Sequence, residues 1–546
     1  MKKLLALVLA TMMLLSACGS KPAAPAAPAA PAAPAAPAAP AAPGAAAPAE
    51  PAKEYKKEVV FGVNSAMTTW DPHRQTMNYY MRLYNMVYDT LVDYNFETGE
   101  FLPRLATSWE SAEGGKVWTF KLREDAYFHN GEQFEADDIA FTVERGSQVS
   151  GSPGKAWATI EKVEVVDKFT AKLTLVAPNP DFLYSMMQYY MMILNRDAFA
   201  VGADGKIDYE IPETAAIRIE GSVNGNLIGT GLYKWEDHVE NDYESIIKRD
   251  DGKYWGEDNP TERFVQRVIP EASARLLALE TGEIDVMFGL STDDIPFVKD
   301  NSDLLVQGGD GTGVRYWLFN GAKEGPWQDI NFRLACTKAI DREKVVMAQT
   351  GGYGTPASSN MSPAQFGYTP TDVHVYDLEA AKEYLAKSNY NGETVTITHI
   401  ASMANMTLSV MDSLKAIGVK VELKEENNSN MSPLIKELKY DGHTYNINLN
   451  PNADDLRRFL NTGFAKPAAQ FMPSHDKVYE LLDKALVATG EERKELYAEV
   501  QKVLAEDCYI IPLFYIHNYE AINKNVENFN YVPTSNYDLR QIKVAA

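Results

Sequence analysis

Three cysteines, eight histidines and 75 acidic residues are where chemistry in this chain would have to come from. Their spacing supports none of the compact catalytic patterns. The chain has no His-Glu-x-x-His, no Gly-x-Ser-x-Gly and no Cys/His cluster at zinc spacing. Gly308-Gly309-Asp310-Gly311-Thr312-Gly313 looks like a phosphate loop but fits neither the dinucleotide nor the Walker spacing, and no Gly-Lys-Ser/Thr occurs. Its glycines suit a crossover between two lobes, where a hinge must absorb torsion. No catalytic residue, metal or cofactor is therefore assigned. Catalytic groups can still converge from distant segments, so an exported hydrolase stays open as an alternative. Cys336 sits in an apolar helical pattern and reads as core. Cys18 is different. It follows Leu15-Ser16-Ala17, an aliphatic residue and two small ones that let the backbone enter a peptidase site, after which the thiol takes a lipid.

The segments around Cys18 agree with that chemistry. Lys2 and Lys3 precede an apolar run from Leu4 to Leu15 that is short for a bilayer, so 1–17 reads as a lipoprotein signal peptide. An ordinary secretory signal with an incidental cysteine is the bland alternative. Pro22 to Pro51 is an almost pure Pro-Ala-Ala repeat with nothing to bury that reaches up to roughly 90 Å, and 18–54 reads as a disordered tether. The body that follows belongs to a chain of 546 residues, 45% of them hydrophobic, enough for a large core and two or three domains. A net charge of −23 disfavours nucleic acid and an anionic membrane face as partners. Three cysteines provide no disulfide framework.

The most informative stretch of the body runs from Lys116 to Arg145. Trp118, Phe120 and Leu122 alternate with Thr119, Lys121 and Arg123, the period of a strand with one buried face. His129-Asn130-Gly131 supplies turn chemistry, and Glu135, Asp137 and Asp138 crowd the start of a helical pattern. Strand, turn and helix are expected, with His129 a structural residue of the turn. Val163 to Leu175 alternates around Asp167-Lys168 as a hairpin. In the C-terminal half a helix capped by Asp377, a strand at Val395–Ile400, a helix at Leu408–Ile417 and a strand at Val419–Leu423 predict α/β units with a largely parallel sheet.

This stretch resembles the signature segment of the bacterial extracellular solute-binding proteins, family 5, the peptide- and nickel-type receptors of ABC importers. Ala106-Thr107-Ser108-Trp109-Glu110, Thr119 to Arg123 and Phe128 to Gly131 match it in order and spacing. Trp70-Asp71-Pro72-His73, Tyr84 to Val92, Gly229-Thr230-Gly231, Tyr254-Trp255-Gly256, Phe332 to Arg342 and Ile510 to Phe514 resemble further family segments in the same order. The resemblance covers nearly the whole body from Lys57. It implies an α/β two-lobed clamp of the periplasmic-binding-protein type, class II, with an extra subdomain and mixed sheets flanked by helices. The expected division is lobe one at 55–310, lobe two at 311–514 and a return to lobe one at 515–546.

By the same resemblance the chain is a monomeric, non-enzymatic receptor held at the membrane through Cys18. It delivers a peptide or other small solute to a permease and its ATPase, outside the cytoplasm. A nickel chelate or a small oligosaccharide is the alternative cargo. The ligand is expected between the lobes, with Trp70, Tyr316, Trp317 and Trp327 as cleft or core aromatics. In oligopeptide and dipeptide receptors an aspartate pairs with the peptide ammonium; matching Phe459-Leu460 puts Asn452 at that position, with Asp454 and Asp455 as possible substitutes and Arg457 and Arg458 as possible partners for them. The loop 401–405, where dipeptide receptors carry an arginine for the peptide carboxylate, holds none. Both charged anchors of a dipeptide receptor are thus missing, which points to oligopeptides.

Overall fold

The computed structural model describes residues 53–67, 69–74, 81–96, 98–148, 152–199, 228–449, 451–534 and 537–546. The signal peptide, Cys18 and the Pro-Ala repeat lie outside them, while Lys53 and Glu54 at the end of the expected tether are described. Lys53–Ala546 is one compact unit.

Two long strands organise this unit. Leu304–Phe319 and Ile510–Asn523 run antiparallel, paired from Leu304 opposite Asn523 to Leu318 opposite Ile510. The register shifts between Asp310 and Val314, so that Gly311, Thr312 and Gly313 face Ile516 alone. The glycine run thus lies inside a strand. At Gly311 a Cβ would sit 2.7 Å from the Ile516 carbonyl oxygen, and at Gly313 2.6 Å from Asn448 Oδ1, so close backbone approach is what demands glycine there.

On either side of this crossing the long strands join different partners in one 11-stranded sheet. Towards the N-terminal lobe, Val286–Met287 joins the second long strand to Glu58–Val63, and Arg263–Val268, Tyr243–Lys248 and Tyr233–Val239 follow. Towards the C-terminal lobe, the half of the first long strand from Gly313 to Phe319 pairs antiparallel with Gly442–Asn448. Thr394–His399 and Lys420–Glu425 extend the sheet beyond it in parallel. The expected parallel units are therefore present, but the long strands and the antiparallel run of Arg263–Val268, Tyr243–Lys248 and Tyr233–Val239 make the sheet mixed.

The core divides the same way. Val59, Phe61, Tyr84, Trp235 and Phe264 anchor one cluster, and Val314, Trp317, Val395, Phe459 and Ile511 another. A third fills the subdomain built on the four-stranded sheet of Ala106–Ala112, Val117–Leu122, Thr170–Leu175 and Ile160–Asp167. The signature stretch folds as its pattern predicts: strand Val117–Leu122, a turn with Gly131 at φ 88°, and helix Ala136–Gln148. His129 Nε2 lies 3.0 Å from the Gly231 carbonyl, which ties that turn to the Gly229-Thr230-Gly231 strand entry. Asp377 caps helix Leu378–Lys387 by accepting from the Ala380 N–H. The helix expected at Leu408–Ile417 runs as Ala404–Lys415, because a 3-10 turn at Ala401–Met403 leads straight into it.

Candidate functional site

A cavity of about 370 Å³ opens at the crossing of the two long strands. Both sides of the molecule build it. Asn64 follows the first strand of the N-terminal lobe, Arg82 comes from helix Met81–Val87, and Phe288 follows Val286–Met287. Thr312, His517 and Glu520 belong to the long strands, and Asn448 ends the strand Gly442–Asn448 of the C-terminal lobe. A concave space of this size with converging polar groups is where a small ligand is expected.

Its electrostatics are set by buried charge. Glu520 Oε1 accepts from the Tyr537 hydroxyl at 2.9 Å, and Oε2 accepts from the Gly289 N–H. Burial pushes this carboxyl up to about 7, against the Gly289 hydrogen bond and the field of Arg82. The Arg82 guanidinium lies 3.9 Å above the Phe288 ring. Glu244 is also held above its ordinary range by burial, although Met67 N–H and Gln266 Nε2 donate to it at 2.9 and 3.2 Å. His517 lies 2.7 Å from Asp310 through Nε2 and 2.8 Å from the Tyr519 hydroxyl through Nδ1; burial outweighs Asp310 and lowers its pKa. Arg315, on the first long strand, is half-buried, and burial alone pushes it down to about 10.

The turn that follows Asn448 is tied mostly to itself. Asn452 is half-buried, and its Oδ1 accepts from the Asp455 N–H at 2.9 Å. Asp454 pairs with Arg457 at 3.2 Å, and Arg457 reaches Asp483 at 2.8 Å. Asp455 is buried and pairs with Arg458 at 2.5 Å; Arg458 also donates to the Asn448 carbonyl at 3.2 Å. Burial raises Asp454, with Arg457 opposing it and Asp181 adding to it. The Asp181 contribution marks a junction between lobes. Arg493, on helix Gly490–Asp507 of the C-terminal lobe, holds Asp181 through both nitrogens, and both residues are buried.

The aromatic candidates are packed away. Trp70 lies against Trp235 with ring centres 4.1 Å apart. Tyr316 stacks on Phe459 at 4.6 Å and donates to the Asn360 carbonyl at 2.7 Å. Trp317 packs on Phe319, and Trp327 Nε1 donates to the Asn320 carbonyl at 2.9 Å. All four are buried in this structure. The structure therefore brings Asn452, Asp454 and Asp455 together, but places none of them, nor any of these aromatics, on the wall of the crossing cavity. Glu520, Arg82 and Tyr537 line it instead. A carboxylate within the long strand Ile510–Asn523 was the available signal for Glu520.

Comparison with known proteins bears on the same architecture. The family model described as bacterial extracellular solute-binding proteins, family 5 Middle, matches residues 100–470. The dipeptide-binding protein of Escherichia coli (strain K12) is 24% identical over 495 residues, 84% of this chain and 89% of that protein. The nickel-binding periplasmic protein of the same organism is 25% identical, over 85% of this chain and 90% of its own. The structure of HbpA2 from Haemophilus parasuis superposes with a TM-score of 0.78 at 23% identity, covering 90% of this chain and all of that one. The fold is that of the two-lobed periplasmic binding proteins, with mixed α/β sheets flanked by helices. The chain belongs to the bacterial extracellular solute-binding proteins, family 5, of ABC importers.

Proposed function

We infer that the chain is a lipid-anchored, extracytoplasmic receptor that captures peptides, oligopeptides rather than dipeptides, and passes them to a permease and its ATPase. In this reading lobe one is 55–310, lobe two 311–514, and 515–546 returns to lobe one. Cys18 carries the lipid, and the solute lies in the cleft between lobes as an added strand held by main-chain hydrogen bonds.

The observation that carries the reading is the polar cavity at the strand crossing, walled from both lobes, so that a bound solute favours the closed arrangement by touching both. Relatives named for dipeptides support a peptide cargo. The turn around Asn452 supports cargo longer than a dipeptide, because Asn452 is uncharged, its oxygen is engaged by Asp455, and both aspartates beside it pair with arginines.

Native mass spectrometry of the protein purified from its own host tests this. Co-purifying peptides of three or more residues are expected; a metal chelate or a sugar would overturn it. Anchoring is tested separately. Cys18→Ala is expected to move the protein from membranes to the soluble exported fraction, and retention on membranes would refute the lipid site.

A further inference from the structure

Glu520 is a buried carboxyl that forms no ion pair among the described residues, although the fields of Arg82 and Arg275 reach it. It stands on the wall of the crossing cavity, the only acidic side chain among the described residues that line it. Its two oxygens accept from a hydroxyl and from a backbone N–H, both neutral donors. Among the described residues no arginine, lysine or histidine lies within ion-pair distance of it. Ionised groups inside proteins are ordinarily paired, because an unpaired one forfeits its hydration for nothing. Each oxygen of a carboxylate also keeps a second lone pair. The neighbouring cavity wall adds neutral amides from Asn64, Asn448 and Asn518, and the Arg82 guanidinium, which is held over the Phe288 ring rather than against Glu520. What Glu520 lacks in this constellation is an ion-pair partner.

We propose that Glu520 is the counter-ion for an ammonium group of the bound solute, and so the residue that selects cationic ligands in this cleft. This rests on the reading of the chain as a solute receptor, but not on the solute being a peptide. It also relocates the amine anchor that Asn452 lacks from the C-terminal lobe to the second long strand. A peptide α-ammonium and a lysine side chain present the same chemistry.

Binding then depends on the ionisation of Glu520. Burial holds this carboxyl near 7, so below that pH it is neutral and offers an ammonium little. Of the titratable groups around it, Tyr531 and Tyr537 are raised by burial, Arg275 is lowered by burial, and burial lowers His517. Glu244 shares the field of Arg82 and is also raised, so the variant below is needed to separate the two carboxyls.

Calorimetric titration of wild type and Glu520→Gln at pH 6 and pH 8 decides the proposal. The probes are trialanine, N-acetyl-trialanine, N-acetyl-Ala-Ala-Lys and spermidine. At pH 8 the wild type is expected to bind at least one ammonium-bearing probe thirtyfold or more tighter than N-acetyl-trialanine. Glu520→Gln should abolish that preference and flatten the pH dependence. Gln keeps an acceptor for the Gly289 N–H, so a melting temperature no lower than wild type is expected and shows that the fold is intact. If spermidine alone binds and needs Glu520, the peptide reading falls and this proposal stands. If peptides bind equally well free and acetylated, or keep their preference in Glu520→Gln, the peptide reading stands and this proposal falls. Failure of every ammonium probe to bind wild type also overturns it.

Discussion

Glu520 carries a cost of its own in the empty protein. Its folded pKa of about 7 lies above the ordinary 4.5, so between these values the folded state holds a proton that the unfolded chain has released. Stability from this group is complete below about pH 4.5 and is lost as pH rises through about 7. Between pH 5 and pH 8 the unliganded wild type is expected to lose on the order of 1–3 kcal/mol relative to Glu520→Gln. Denaturant midpoints at the two pH values measure this; parallel profiles for the two proteins would refute it. The residue also shows what the sequence withholds. Asn452, Asp454 and Asp455 are visible because they fall in a matched segment with a known spacing. Glu520 pairs with Gly289 and Tyr537, 231 and 17 residues away, and only the folded sheet brings those three together.

Among the elements, the matched motifs turn out to hold one another. Buried Asp89, at the end of the Tyr84–Val92 segment, accepts from Arg104 Nε at 2.6 Å, from the hydroxyl of Thr230 at 2.6 Å and from Trp255 Nε1 at 3.2 Å. Thr230 lies in the Gly229-Thr230-Gly231 entry and Trp255 in Tyr254-Trp255-Gly256. Asp71, from the Asp-Pro-His step, takes both terminal nitrogens of Arg145 at the end of the signature helix, at 3.1 and 2.5 Å. Asp89→Ala should therefore cost about 3–5 kcal/mol, because it takes from the buried Arg104 guanidinium its fully buried partner and leaves it only the more exposed Asp93 at 3.1 Å, and chemical denaturation reads the loss directly. A change below 1 kcal/mol would show that Arg104 finds other partners. This explains why the fold was so legible. Most of the segments that identify the family frame the N-terminal lobe, and strands and helices there follow from alternation, caps and turn residues. The cavity wall is drawn from Asn64, Arg82, Asn448 and Glu520, single residues far apart in the chain.

Across the whole molecule, Asp181 and Arg493 pin the subdomain of the N-terminal lobe to the C-terminal lobe. Their pairing is bidentate and buried, and it needs no solute. Asp454 stands close enough to feel both charges, which gives Arg493 a second acidic neighbour on its own lobe. Arg493→Met together with Asp181→Leu removes both charges without stranding either. The unliganded double variant is expected to show a larger radius of gyration than wild type by small-angle scattering, and a saturating solute should shrink both to the same value. Identical profiles for the two unliganded proteins would show that the pair follows closure rather than holding it.

The sheet that runs unbroken through both lobes has a thermal consequence. Separate cores would ordinarily melt as separate domains, each with its own transition. Here Leu304–Phe319 and Ile510–Asn523 each lie in both halves, so neither lobe can lose its sheet without exposing the strands of the other. Scanning calorimetry should accordingly give a single peak, with the van't Hoff and calorimetric enthalpies equal. The three-against-one mismatch at Gly311–Gly313 is where that cooperativity is thinnest. A larger residue at Gly311, forced against the Ile516 carbonyl, should split the one peak into two.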